Sequence, residues 1–286
     1  MRCQRFFHFC QNEYVGMACL VVLVFNACFF FFGIEYEKSL TPLTPRLSNV
    51  DVPFTFVTGK FGHNDLFEEQ VKKHCELAQM WMRPKDTLVC RSVFPKYVLS
   101  DVRWQKHLAF LSDEQDVSKK GGGYWFWKSV ILNHTMAHAE KDSVILFSDV
   151  DRGVYFFADE YVLAPFLLLN ASVAIENMPL IEEHWTKEDT FQRMHATLEQ
   201  RQSGQYNANL FVLKNTVKNR EMVAEWVDLV SNWHLLTDSP SRKKNSLAFK
   251  ENRHDQSFLS LLIKQRPLKL VREKKGLHHE NLQFFR

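Results

Sequence analysis

The sequence predicts an α/β protein, a mostly parallel sheet flanked by helices, behind an N-terminal transmembrane helix. Three observations predict it. From Pro53 to Leu111 the pattern runs strand, helix, strand, helix, the order that crossover-connected parallel sheets produce. Val144-Ile-Leu-Phe147 is apolar at consecutive positions, as in a strand buried on both faces. Val15 to Gly33 is a separate apolar run broken only by Asn26.

The N-terminal run comes first in the chain. At helical rise it spans about 28 Å, close to the roughly 30 Å of a bilayer core. Arg2 and Arg5 precede it; Glu35, Glu37 and Lys38 follow. The positive-inside bias then places the N-terminus in the cytoplasm and the bulk of the chain across the membrane. The expectation is a single-pass type II membrane protein of the Golgi or endoplasmic reticulum. Its parts are a cytoplasmic tail (1–14), a signal anchor (15–34), a stem (35–52) and a lumenal body (53–286). A cleaved signal peptide, cut after Ala27 or near Gly33, is the alternative. The stem carries Ser39, Thr41, Pro42, Thr44, Pro45 and Ser48, a polar, proline-bearing composition. Two glycosylation sequons, Asn133-His-Thr135 and Asn170-Ala-Ser172, agree with a lumenal body. Of six cysteines only Cys75 and Cys90 lie in the body. In an oxidising lumen they could bridge; two buried thiols are the alternative. No cysteine or histidine spacing suggests zinc.

Composition narrows the function classes. The formal charge of +3 is too mild and too dispersed for a nucleic-acid binder. There is no GxGxxG and no Walker loop, so dinucleotide and P-loop readings lack their main support.

Within the body, Pro53–Thr58 reads as the first buried strand and Gly59–His63 as a turn. Asn64 caps a helix to about Met82, with Leu66, Phe67, Val71, Cys75, Ala78 and Met82 near 3.6-residue spacing. Pro84-Lys-Asp86 ends it. Thr87–Val93 is a second strand, and Asp101 caps a helix to about Leu111. Gly121-Gly-Gly-Tyr124-Trp125-Phe126-Trp127-Lys128 then opens a helix to about Ala139. At helical spacing Tyr124 shares a face with Trp127 or Lys128 while Trp125 points elsewhere. Two of the aromatics are expected in the core. Lys128, at a helix head beside a glycine loop, is a natural diphosphate partner.

The strand from Val144 ends in Asp149-Val-Asp151-Arg-Gly153. Loops at the carboxyl ends of parallel strands are where open α/β sheets bind ligands. Two carboxylates at i and i+2 can converge on one hard divalent cation; alternatively they cap the next turn. Asp159–Leu169 reads as a helix interrupted by Pro165, and Ala171–Ile175 as a short strand leading into Glu176 and Asn177. Pro179–Gly204 is polar and irregular, with Trp185, Lys187 and Asp189 on an acceptor-side loop and helix. Gln205–Leu213 is a strand on which Asn207 and Asn209 share one face and could bond a sugar. Val217–Leu236 is a structural helix, and Thr237–Glu251 a basic connector whose Arg242-Lys-Lys244 reads as a solvated face. Asp255–Gln265 is a helix with Asp255 and Gln256 in its first turn. Leu268–Val271 is a last strand.

Four blocks, in order, resemble those of a family of predicted nucleotide-sugar glycosyltransferases with the GT-A fold. Gly123-Tyr-Trp-Phe-Trp-Lys128 is similar to its Gly-Tyr-Trp-x-Trp-Lys-Pro block, with Ser129 in place of proline. Val144–Gly153 is similar to its aspartate-bearing loop, though members often show one prominent aspartate where this chain has Asp149 and Asp151. Trp185-Thr-Lys187-Glu-Asp189 is similar to Trp-Thr-Lys-x-Asp. Arg253-His-Asp255-Gln256-Ser257 is similar to His-Arg-x-Asp-Gln-Ser, with Asn252-Arg-His shuffling the usual His-Arg order.

The resemblance covers Phe54 to the C-terminus. It implies a GT-A-like domain that takes a nucleotide-sugar donor and a glycan, glycoprotein or glycolipid acceptor. Mn2+ or Mg2+ held by Asp149 and Asp151 would stabilise the departing diphosphate, with His278 or His279 as a further ligand. Asp255 is the first candidate for a catalytic carboxylate and Glu176 the second. Tyr124, Trp125, Trp127, Lys128, Trp185, Lys187, Asp189, Asn207, Asn209 and Gln256 are the candidates for donor and acceptor contacts. A non-catalytic sugar- or partner-binding relative, and a metal-dependent phosphoesterase using the aspartates, are the competing readings.

Overall fold

A computed structural model of the protein describes residues 52–62, 65–112, 120–150 and 171–274. The anchor, the tail, the stem up to Asp51, Asp151 to Gly153, the Asp159–Leu169 helix, Asn170, His278 and His279 lie outside the described residues. Among the described residues no helix is long and apolar enough to cross a membrane.

The described chain is an α/β, Rossmann-like arrangement: a six-stranded mixed sheet flanked by helices. The strands are β1 (Phe54–Gly59), β2 (Thr87–Arg91), β3 (Val144–Ser148), β4 (Val173–Ile181), β5 (Gly204–Lys214) and β6 (Leu270–Lys274), in spatial order β2-β1-β3-β5-β4-β6. β1 pairs in parallel with β2 and β3, and β4 with β6. β5 runs antiparallel to β3 and β4, so it alone opposes the others.

Period-2 alternation divides the strands' side chains between two cores. Ile145 and Phe147 of β3, Val57 of β1 and Phe211 and Leu213 of β5 face the larger one. Val144 and Leu146, Phe54 and Phe56, and Val212 face the smaller. Helix α1 (Asp65–Trp81) covers the smaller core through Ala78. The larger is covered by α3 (Trp127–His138), α4 (Val217–Ser231) and α5 (His254–Lys264), and flanked by α2 (Gln105–Ser112). Trp104 caps this core, and Asp101 accepts from Arg103 N at 2.9 Å, just before α2. Cys75 of α1 and Cys90 of β2 are joined as a disulfide, Cα atoms 6.4 Å apart, tying the edge strand to its helix.

The chain leaves β1 for β2 on one side and returns to β3 on the other. Strand order reverses there, and the carboxyl ends of β1 and β3, Gly59 and Ser148, flank the crevice where open α/β sheets take ligands.

Four expectations are corrected. β4 is longer than the short strand predicted, so Glu176 lies within it rather than past it. Pro179–Gly204 is not irregular: after β4 come three short helices, Glu182–Trp185, Glu188–Arg193 and Leu198–Gln202. The helix predicted to Leu236 stops at Ser231, because Asn232 turns extended and its side chain caps a new turn at Leu235 N. Asn207 and Asn209 do not share a face. Between Ile175↔Phe211 and Asn177↔Tyr206 the register advances two residues on β4 and five on β5. That bulge buries Asn207 and exposes Asn209.

Candidate functional site

The site begins with the glycines. Gly121, Gly122, Gly123, Tyr124 and Trp125 all have positive φ, from 56° to 89°. A left-handed conformation costs an L-residue about 1–2 kcal/mol, so glycine suits the first three positions and Tyr124 and Trp125 hold strain. Gly122 is also needed for room: a Cβ there would come within 2.6 Å of the Phe61 carbonyl oxygen. The arch is closed by Trp125 N and Trp127 Nε1, which both donate to Gly121 O, at 3.1 and 2.8 Å. Helical spacing therefore does not govern Tyr124 and Trp125, and α3 starts only at Trp127.

The arch delivers Lys128 to the sheet. Its side chain is 2% exposed, and Nζ donates to Asp149 Oδ2 at 2.8 Å. Nζ also stands 3.8 Å from Asp255 Oδ2 and 3.4 Å from Ala208 O. Asp149 follows β3 directly; its N–H donates to Asn209 O at 2.8 Å, and Thr58 Oγ1 of β1 donates to the preceding Ser148 carbonyl at 2.7 Å. Its carboxylate keeps 16% exposure.

Asp255 is in the first turn of α5, buried, and its Oδ2 has no hydrogen-bond partner among the described residues. Burial pushes its carboxyl up to about 7, against the pull of Lys128 and helped by the like charge of Asp149. One ammonium thus lies near two carboxylates, one reaching solvent and one close to sharing a proton at neutral pH.

Two cavities meet here. The larger, about 490 Å3, is lined by Lys120, Lys128, Asn209, the Glu251–Gln256 segment, Trp125 and Asp149. The smaller, about 190 Å3, lies against the ends of β1 and β3, between Gly59, Phe61, Phe67, Gly121 and Trp127. Trp125 and Asp149 line both. His254 backs the larger one with φ 52°, packed on Tyr124 and Trp125 at ring separations of 4.9 and 5.5 Å. Burial lowers its imidazole to about 4, and Nδ1 donates to Leu236 O at 2.8 Å, so it is a neutral wall.

Of the residues singled out from sequence, Trp125, Lys128, Asp149, Asn209, Asp255 and Gln256 line the larger cavity and Trp127 the smaller. Gln256 is already engaged: Nε2 donates to Gln205 Oε1 at 2.7 Å and Oε1 accepts from Ala208 N at 3.3 Å. Tyr124 packs edge-on to Trp233 and lines neither cavity.

Lys187 and Asp189 line neither cavity and are engaged within the fold. Lys187 is 1% exposed, and its Nζ donates to the carbonyls of His234, Thr237 and Ser239 at 2.6, 3.2 and 2.7 Å. Asp189 accepts from Arg242 N, Lys243 N and His234 Nε2. Trp185 sits half-buried beneath Lys250 and Arg253. Glu176 accepts from Asn207 Nδ2 at 2.8 Å, and neither residue lines either of these two cavities. Asp151 and His278 lie outside the described residues, and among those described no group of three or more His, Cys, Asp or Glu could hold a metal ion.

Sequence reasoning missed Lys120, Glu251 and His254 as cavity residues. The signal was adjacency: Lys120 precedes the glycines, Glu251 stands just before the last block, and His254 lies inside that block, from which only Asp255 and Gln256 were carried over. It also missed Glu182. This fully buried carboxylate accepts from Thr186 Oγ1, Gln205 Nε2, Lys264 Nζ and, in a short contact, Ser260 Oγ. One of two adjacent Glu residues in a polar stretch carries no mark of burial.

No protein-family model matches this chain, and no curated protein matches it.

Proposed function

We propose that this chain transfers a sugar from a nucleotide-sugar donor to a glycan, glycoprotein or glycolipid acceptor, using Mn2+ or Mg2+, on a GT-A-like fold. The observation that carries the reading is the meeting of two cavities at Asp149, at the carboxyl ends of β1 and β3, with Lys128 and Asp255 behind it. Donor and acceptor need adjoining chambers that share the reacting centre, and the strand-order reversal is where a nucleotide suits such a sheet. We place the catalytic body in the lumen of the secretory pathway, anchored by Val15–Gly33.

Two carboxylates would hold the cation. Asp149 offers a hard carboxylate oxygen at the cavity wall, and Asp151 follows two residues on. Bound there, Mn2+ or Mg2+ would supply Lewis acidity to the leaving diphosphate. The chain's own residues do the rest. Lys128 holds Asp149 in place and adds positive charge beside the leaving group. Asp255, with its carboxyl near 7, is matched to accept a proton from an acceptor hydroxyl. Trp125 forms the shared wall that sets one chamber against the other.

One observation favours a second reading, a non-catalytic sugar-binding relative. Lys128 already neutralises Asp149 at 2.8 Å, a balance that needs no metal. The two readings separate on one experiment. The purified full-length chain is titrated with a panel of nucleotide sugars, with and without Mn2+. The transfer reading expects Mn2+-dependent binding of at least one donor, lost in Asp149→Ala. If no donor binds in a metal-dependent way, the reading fails.

A further inference from the structure

The segment from Ser239 to Arg253 has no helix or strand. Irregular loops of this length inside a compact domain are uncommon and mostly functional. This one is pinned along its length. Lys187 Nζ holds Ser239 O, Asp189 holds Arg242 N and Lys243 N, and Asn245 Oδ1 accepts from Glu188 N at 2.9 Å. Ser246 Oγ bonds Glu183, Lys250 N donates to His184 O at 2.8 Å, and Arg253 N to Trp185 O at 3.0 Å. Two buried charged residues are thus spent on fixing an exposed loop.

Its charge is as unusual as its order. Arg242, Lys243, Lys244, Lys250 and Arg253 stand against a single carboxylate, Glu251. That is four net positive charges in a chain whose formal total is +3. None of the five forms an ion pair with a described residue. Unpaired like charges held on one pinned loop repel one another, a cost that binding an anion relieves.

The loop's far end reaches the larger cavity, which Glu251 and Arg253 line themselves. Just before the loop, Asp238 pairs at 2.8 Å with Lys120, another cavity residue. Lys250 and Arg253 also lie over the Trp185 ring, at 5.3 and 5.2 Å. The cavity offers Asp149, Asn209 and Glu251 as acceptors for hydroxyl groups. Cations outside and hydroxyl acceptors inside match a sugar chain that carries acid groups.

We propose that the Ser239–Arg253 loop docks an acidic saccharide, bearing carboxylate or sulfate groups, as the acceptor whose end enters the larger cavity. The inference deepens the transfer reading and rests on it for the word acceptor, but docking can be measured without any donor. The purified full-length chain, with EDTA and no nucleotide sugar, is titrated with labelled oligogalacturonate, dextran sulfate and neutral dextran. Phosphatidylserine vesicles and single-stranded RNA serve as further arms.

At least one acidic saccharide is expected to bind, neutral dextran is not, and affinity should fall with salt. Arg242→Gln/Lys243→Gln/Lys244→Gln should weaken that binding about tenfold or more, with a shallower salt slope. Arg253→Gln alone should weaken it too. A charge-matched control at exposed positions elsewhere, Lys73→Gln/Lys106→Gln/Lys218→Gln, should change it less than about twofold. The proposal is overturned if the control weakens binding as much as the loop variant, if neutral dextran binds equally, or if vesicles or RNA bind more tightly through the loop. Absence of saccharide binding overturns it even where a nucleotide sugar binds. Failure of the donor titration leaves the docking result standing and removes only the acceptor role.

Discussion

At the scale of single residues, the site turns on Lys128. A lysine with 2% exposure is costly unless its charge is met, and here Asp149 meets it at 2.8 Å with Asp255 at 3.8 Å. The pH dependence follows from Asp255. Its folded value, about 7, lies above the ordinary 3.8, so the folded state holds the extra proton between those values. Stability from this group therefore falls as pH rises from 3.8 through 7 and levels above 7. In Lys128→Met the attraction that restrains the shift is gone and the folded value climbs. The variant should keep losing stability above pH 7, by up to about 1.4 kcal/mol per pH unit, where the wild type has levelled. Adding Asp255→Asn should flatten that slope, since one carboxylate no longer faces the other. Chemical unfolding at pH 6, 7, 8 and 9 reads all three proteins; parallel slopes would remove Lys128 from its role as charge partner.

At the scale of elements, the glycine arch decides where α3 points. The sequence made the glycines visible and the helix after them nearly so. It did not reveal that Tyr124 and Trp125 continue the left-handed run, because periodicity arguments assume helical dihedrals throughout. The bulge at Asn207–Asn209 escaped for the same reason: alternation on paper assumes an unbroken ladder. By contrast β1 and β3 were legible, since runs of buried apolar residues have few other homes. The arch makes a sharp contrast between neighbouring glycines. At Gly122 a new Cβ meets the backbone oxygen of Phe61 at 2.6 Å, at φ 64°. Backbone cannot swing aside, so Gly122→Ala should cost at least about 2 kcal/mol of stability. At Gly121 the Cβ would meet the Trp125 ring at 2.1 Å, a side chain that can rotate away. Gly121→Ala should therefore cost less stability than Gly122→Ala but displace the wall between the two cavities. Unfolding midpoints, together with quenching of tryptophan fluorescence, separate the two; equal losses with unchanged fluorescence would refute the distinction.

At the scale of the whole molecule, strand order was not legible, because parallel pairing between distant strands leaves no local signature. The α/β class was legible from alternation alone. What emerges only in three dimensions is a division of labour across the larger core. On one side β1, β3 and the arch build the Asp149 centre. On the other, the first two short helices after β4 hold the Ser239–Arg253 loop, and Lys187, between them, is the main hand on it. Its ammonium is buried, and burial lowers its proton affinity despite the nearby Asp189 and Asp238. It serves three carbonyls that no other described side chain reaches together. Lys187→Met keeps the length and removes the donors, leaving the His234 and Ser239 carbonyls to find water while Thr237 O keeps Asn252 Nδ2 at 3.4 Å. Each lost partner costs about 1–3 kcal/mol if its group stays buried, but an exposed loop can open instead. Opening is the cheaper route, so the damage should be local. Hydrogen exchange should accelerate across 237–253 in the variant, while β1, β3 and the disulfide-tied α1–β2 pair stay protected as in the wild type. Global destabilisation should then stay within about 1–3 kcal/mol. Uniform acceleration through the sheet would mean that Lys187 supports the whole core and that the loop is no separate unit.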